Sequence, residues 1–373
     1  MQTPLTWIWQ RPDWPHFGWD AACLMPLLAR ARFAQGKVLG ATRLLDANLT
    51  LEAVAAILVE DGLTTSAIEG ERLDLEAVRS SVAHHLGLPT AGLIKPPRAV
   101  DGLIDVLLDA TRQHAQPLTA KRLFGWQAAL FPVGYSGLHT IRVGELRGNE
   151  LMQVVSGSIG REKVHFIAPP RERLNAELEH FLAWFNTSSA DLDGLVRAGL
   201  AHLWFVTLHP FEDGNGRLAR AITDMALSQD ERQPMRLFSL SAQILRERES
   251  YYDILECTQR GGLDVTAWLA WFLTQVEAAA ITAEQTVANT LVKARFWLKH
   301  QSANLNERQN KVLNRLLDAG RGGFEGGINT RKYMSLTKTS RATAYRELAE
   351  LVEKGCLAPT GKGGRSSAYE IVC

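Results

Sequence analysis

The densest chemistry in this 373-residue chain lies in the run His209-Pro-Phe-Glu-Asp-Gly-Asn-Gly-Arg-Leu-Ala-Arg220. Gly214, Asn215 and Gly216 permit close backbone approach and positive φ. They open a helix whose first-turn N–H groups lack intrahelical partners, so the segment reads as an anion cradle. Arg217 and Arg220, three residues apart, set two guanidinium groups on one side of that helix, where they can clamp phosphate oxygens. Asp213 offers a single hard oxygen ligand where a phosphate-bound Mg²⁺ needs one. His209 supplies a base that titrates near neutrality. Together these groups can activate a hydroxyl and stabilise charge during an in-line displacement at phosphorus, with a di- or triphosphate as ligand. Singly, each has a plainer role: a His before Pro ends a helix, Asp-Gly makes a turn, and arginines three apart face solvent. Their conjunction within one short run favours the chemical reading. Phe211 is expected to do no chemistry and to anchor the loop in the core.

Two helices must hold this run. Leu195 to Leu208 is apolar and free of proline, so His209 should sit at a helix end that Pro210 terminates. Downstream, Leu218, Ile222, Met225 and Ala226 recur at helical spacing and mark the second helix. Earlier, Leu24, Leu27, Leu28 and Ala31 read as one helix and Thr50 to Val59 as another, while the tryptophans of the opening (Trp7, Trp9, Trp14, Trp19) read as packing residues. Lys95-Pro-Pro-Arg98 interrupts the helical pattern and marks a boundary. Between Gln153 and Pro169 the sequence alternates around a Gly-containing centre, the mark of a β-hairpin. The last seventy or so residues read as helices near Arg308 to Ala319, Lys332 to Leu336 and Ser340 to Lys354, followed by two short strands around a Gly-rich basic loop, a winged-helix order. The expected division is 1–95 (N-terminal helical domain), 96–290 (catalytic core) and 291–373 (winged-helix-like module).

Bulk properties narrow the function classes. Apolar residues make up 46% and charged residues 22%, with 41 basic against 40 acidic side chains, so the chain is neither disordered nor a highly charged specialist. Cys23, Cys257, Cys356 and Cys373 are scattered, which indicates neither a disulfide framework nor a zinc site. No stretch is apolar enough to span a bilayer and no leader pattern opens the chain, so the expectation is a cytoplasmic protein without a membrane partner.

The run at 209–220 resembles the signature of Fic-domain proteins, His-Pro-Phe-x-Asp/Glu-Gly-Asn-Gly-Arg-x-x-Arg, at every defined position. The resemblance implies a mainly α fold: a helical core with a β-hairpin flap, here between an N-terminal helical domain and a C-terminal winged helix. It implies a protein adenylyltransferase that moves AMP from ATP, with Mg²⁺, to a Ser, Thr or Tyr hydroxyl of a target protein or of the chain itself. In those terms His209 is the general base, Asp213 the Mg²⁺ ligand and Asn215 a phosphate contact. Gly214 and Gly216 form the anion hole, Arg217 touches the β-phosphate and Arg220 the γ-phosphate. The flap near 153–169 would hold the target by strand addition. Thr65-Ser-Ala-Ile-Glu69-Gly70 resembles the family's inhibitory helix. Its four-residue spacing puts Thr65 and Glu69 on one face, from which Glu69 would pair with Arg220 and occupy the γ-phosphate position. In some relatives the same Glu assists removal of AMP, so the chain could run in both directions.

Two alternatives accompany this reading. Some relatives transfer other phosphate-containing groups, although Gly216 and Arg220 favour AMP. A DNA-binding regulator would use Lys338, Arg341, Arg346, Lys362 and Arg365 in residues 291–373. Interleaved Glu347, Glu350 and Glu353 dilute that patch, which favours protein interaction or homodimerisation there.

Overall fold

The computed structural model describes residues 7–43, 47–90, 92–156, 163–188, 191–319, 327–360 and 368–372. The hairpin tip at 157–162 and the loop carrying Lys362 and Arg365 lie outside them. Two compact units divide the chain, one of Met1–Gly40 with Leu51–Ala283 and the other of Ala41–Thr50 with Glu284–Cys373.

Helices dominate both units, as expected, and the strands described form three separate antiparallel pairs. The first unit carries α1 (Ala21–Thr42), most of α2 (Ala47–Ile68), α3 (Leu75–Leu86), α4 (Arg98–Arg112) and α5 (Ala120–Leu130). A miniature pair β1 (Tyr135–Ser136) and β2 (His139–Thr140) follows, then the expected hairpin β3 (Gln153–Ser156) and β4 (Lys163–Ile167). After these come α6 (Arg171–Thr187), α7 (Gly194–Leu208), α8 (Asn215–Glu231), α9 (Leu240–Arg246), α10 (Arg248–Gln259) and α11 (Thr266–Lys299). The helix read at Thr50 to Val59 therefore runs on to Ile68, and α4 starts at Arg98, directly after the proline pair.

The core forms around α7 because that helix is apolar on every side, the pattern of a helix with no solvent face. Every residue from Leu195 to Leu208 is buried. Asp193 caps it by accepting from the Leu195 and Val196 N–H groups at 2.9 and 3.4 Å. α8 packs along it and buries Leu218, Ile222 and Met225, the expected stripe. The opening tryptophans are packing residues, as read: Trp14 meets Trp204 edge to face at 6.1 Å, and Trp7 meets Phe166 at 5.4 Å. A smaller cluster of Leu58, Val78, Val82, Val100, Ile104 and Leu107 fastens α2 to α3 and α4.

In the second unit, α12 (Glu307–Ala319), α13 (Thr330–Thr337) and α14 (Arg341–Glu353) precede the pair β5 (Leu357–Pro359) and β6 (Tyr369–Ile371). This is the order of elements read from the sequence. Glu347 departs from the surface role expected of it. It is buried and accepts from Arg308, from Asn306 and, at 2.7 Å, from the Tyr333 hydroxyl, so it organises the core and does not dilute a basic face. Helical spacing puts Glu347 on the face of Ala344 and Leu351, but could not supply its partner Arg308, which lies on another helix.

Candidate functional site

His209 is set by the end of α7. It takes a left-handed conformation (φ 49°) as the C-cap, and Pro210 prevents the helix from continuing. Its Nδ1 lies 3.2 Å from the Val206 carbonyl, which can only accept, so Nδ1 carries the proton and Nε2 is left as the basic nitrogen. Burial lowers its pKa, the Val206 hydrogen bond opposes that, and Arg147 adds to the depression. The ring is therefore neutral at pH 7, as a base requires. Arg147 fixes the loop: it donates to the His209 carbonyl at 2.9 Å and to the Pro169 carbonyl, while its own N–H reaches Pro210 O at 3.0 Å.

The turn from His209 to α8 is stitched by Asn215. Its amide accepts from Phe211 N–H at 3.0 Å and donates to Phe211 O at 2.8 Å. What Asn215 leaves toward the cradle is thus its main chain. Phe211 is fully buried against Phe124, as expected. Gly214 sits at φ 88°, and the first intrahelical bond of α8 runs from Leu218 N–H to Gly214 O, which leaves the N–H groups of Asn215, Gly216 and Arg217 ahead of the ladder. Asp213 accepts from the Ser136 hydroxyl on β1 and from Gly214 N–H. No group of three or more His, Cys, Asp or Glu residues suited to a metal occurs among the described residues. One carboxylate beside a phosphate cradle still suits Mg²⁺, which takes most of its ligands from phosphate and water.

Both arginines of α8 are buried and engaged. Arg220 donates through Nε to Thr65 Oγ1 at 2.6 Å, and through Nη2 to Thr65 O at 2.9 Å and Glu69 Oε1 at 2.7 Å. Its Nη1 has no partner. Arg217 lies over the Phe131 ring at 4.9 Å and donates from Nη1 to Glu71 Oε2 at 3.0 Å. The turn that presents the two carboxylates is specified locally. Gly70 at φ 85° closes α2 with a Schellman motif: Gly70 N–H reaches Ala67 O at 3.0 Å and Glu71 N–H reaches Ser66 O at 3.0 Å. Glu69 becomes the C-cap and Glu71 follows the glycine. A Cβ on Gly216 would lie 2.1 Å from Glu69 Oε1, so the carboxylate rests directly on the first turn of α8. Tyr252 and Arg248 of α10 donate to Ile68 O at 3.1 and 2.9 Å and steady the same turn.

The structure thus brings together the residues singled out around the 209–220 run: His209, Asp213, Gly214, Asn215, Gly216, Arg217, Arg220 and Glu69. Sequence reasoning missed Glu71 and Ser136, and assigned no chemistry to the segments Arg142 to Arg147 and Tyr251 to Leu255 that carry Arg147 and Tyr252. Glu71 had no periodic signal, because it lies beyond the glycine that ends α2. Ser136 had none, because the two-residue strand that delivers it leaves no periodicity. Tyr251 hydrogen-bonds His202 at 2.9 Å; burial and Arg220 push the pKa of that histidine down to about 3.

Fold and site together define a helical domain built around a phosphate cradle. Comparison with known proteins gives it a family: residues 117–227 match the Fic/DOC family, so the chain carries a Fic/DOC family domain, and residues 7–88 match a domain of unknown function, DUF4172. The chain is similar to the protein adenylyltransferase Fic of Aedes aegypti, 29% identical over 114 residues, which is 30% of this chain and 22% of that protein. It is similar to the same degree to a uridine 5'-monophosphate transferase of Xanthomonas campestris pv. campestris (strain 8004), 30% identical over 31% of this chain and 22% of that protein. The chain thus spans about a fifth of the length of these relatives. Its fold matches that of a Fic family protein from Desulfovibrio desulfuricans G20, with a TM-score of 0.52 at 18% identity over 93% of this chain and 96% of the other. No helix among the described residues is long and apolar enough to cross a membrane.

Proposed function

We propose that the chain is a protein adenylyltransferase, held off by Glu69, that moves AMP from ATP to a Ser, Thr or Tyr hydroxyl of a target protein. The observation that carries this reading is the Glu69 carboxylate on Arg220 and against Gly216, an anion seated where the cradle would take a phosphate. His209 Nε2 takes the proton of the attacking hydroxyl, whose oxygen bonds to the α-phosphorus as the bond to the bridging oxygen breaks and pyrophosphate leaves. The N–H groups at the start of α8, with Arg217 and Arg220, receive the phosphate oxygens once the carboxylates are displaced. Asp213 would hold Mg²⁺, which when bound neutralises phosphate charge. The β3–β4 hairpin offers a strand edge for the target segment, and with Glu69 engaged the same site could hydrolyse the product. Residues 291–373 serve protein interaction or self-association in this reading.

The test is intact-mass and peptide analysis of the Glu69→Gly chain incubated with Mg²⁺ and either ATP or UTP. Adenylyl adducts that disappear in Glu69→Gly/His209→Ala support the reading. Adducts from UTP alone would reassign the donor, the outcome that the Xanthomonas relative's name favours. Adducts that survive loss of His209 on every modified residue would refute its role as base.

A further inference from the structure

The β3–β4 hairpin carries side chains that the cradle does not use. Ser156 Oγ lies 2.5 Å from His165 Nε2, and the other ring nitrogen, Nδ1, is hydrogen-bonded to the Glu256 carboxylate on α10. An ionised carboxylate only accepts, so Nδ1 carries the proton and Nε2 accepts from the serine hydroxyl. The backbone is shaped for this contact. Val154 pairs with Phe166 and Val155 with Val164, which makes His165 the extra residue of a β-bulge, and bulges re-aim a side chain out of strand alternation. α10 grips the bulge from two positions one turn apart. Arg260 donates to Val164 O at 2.8 Å and His165 O at 3.4 Å, while Glu256 holds the ring.

Burial works against charge on Glu256, but His165, Arg260 and Lys163 outweigh it and hold the carboxyl below its usual range. It therefore stays ionised, able to fix the tautomer and stabilise an imidazolium. Lys163 is the direct cross-strand partner of Ser156; its side chain is mostly exposed and its ammonium lies 3.6 Å from the Glu256 carboxylate. A lysine there suits the oxygens of a phosphorus-centred electrophile. Nucleophile, base, orienting acid and phosphate-attracting cation thus share one end of the hairpin.

We propose that Ser156 is a nucleophile activated by His165 and Glu256, and that it is a site where the chain accepts the nucleotidyl group itself. This rests on the nucleotidyl-transfer reading above. Two contacts tie the hairpin to the cradle. Tyr252, one turn before Glu256 on α10, donates to Ile68 O beside Glu69, and Pro169, just beyond β4, accepts from the Arg147 that holds His209. In the step, Ser156 Oγ bonds to the α-phosphorus and the bond from that phosphorus to the bridging oxygen breaks. Pyrophosphate leaves with the electron pair, and the serine proton passes to His165 Nε2.

Two measurements on the full chain test this. The first is peptide mapping of adducts formed by Glu69→Gly with ATP and Mg²⁺. An adenylyl group is expected on Ser156, falling on the order of tenfold in His165→Gln and Glu256→Gln while adducts on other hydroxyls stay within about twofold. A merely structural role for the relay would lower every adduct alike. Adducts elsewhere with none on Ser156, or a Ser156 adduct indifferent to His165→Gln, overturn the proposal and leave the functional reading standing. No adduct on any residue overturns both. The second measurement uses a fluorophosphonate probe, which needs an activated hydroxyl and no nucleotide. Labelling of Ser156 that is lost in His165→Gln is expected, and absence of labelling overturns the relay whatever the nucleotide chemistry.

Discussion

Helix α8 has an ion cluster at each end, and the two are built differently. At its N-terminus Arg217 and Arg220 pair with Glu71 and Glu69, whose side chains are 47% and 31% exposed. Toward its C-terminus Asp224 and Glu231 pair with Arg236, and these carboxylates are only 6% and 1% exposed. Asp61 of α2 adjoins this second cluster, lining one cavity with Asp224 and Arg236, so α2 reaches both. Carboxylates that face solvent can be exchanged for an anion from solution, whereas a sealed cluster accepts no substitute. Partner exposure therefore separates binding charge from structural charge on a single helix.

The contrast can be broken in several ways. The largest effect is expected for His209→Ala, which should lower transfer roughly 10³-fold while nucleotide affinity measured by calorimetry stays unchanged. A comparable loss of affinity would assign His209 to binding. Next, Arg236→Met leaves buried carboxylates unpaired and should cost about 3–5 kcal/mol in urea unfolding. A cost no larger than that of Glu69→Gln would erase the distinction between the clusters. Glu69→Gln itself should raise ATP affinity on the order of tenfold, with little change in stability.

The smallest effect concerns pH. Burial, above all, raises the Asp224 carboxyl from 3.8 to about 6, and burial with the Asp224 charge raises Asp61 as well. The folded state thus holds these protons more tightly than the unfolded chain. The stability that Asp224 contributes is complete below about pH 4 and is lost as pH rises through about 6. Asp61→Asn removes one of the facing charges and should flatten that loss by less than about 1 kcal/mol in urea midpoints measured across the window. An unchanged slope would mean that Asp61 carries no charge there.

The N-terminal cluster was far more legible in the sequence than the other. Arg217, Arg220, Thr65 and Glu69 announce themselves because helical spacing fixes which side chains share a face before any tertiary contact is known. Glu71 did not, since its direction depends on the Schellman turn at Gly70, and such turns break periodicity. Asp61, Asp224 and Arg236 come from three elements, and no local pattern links them. The hairpin was visible as alternation, but the bulge that turns His165 was not: one extra residue leaves composition untouched while shifting the register. The helices that carry the site were legible because α7 is long and apolar, α8 carries a regular apolar stripe, and both are cleanly terminated.

Gly216 has a further consequence. Its missing side chain is used twice, once by the Glu69 carboxylate at rest and once by the anion that replaces it. A single methyl group there would evict the flexible end of Glu69 at little cost to the fold, and would obstruct the incoming ligand equally. In the proposed function, inhibition and catalysis are therefore coupled through one hydrogen atom's worth of space. Mutation can tune the grip of the carboxylate without touching Gly216 from α2 and from Tyr252 and Arg248 of α10, which steady its turn.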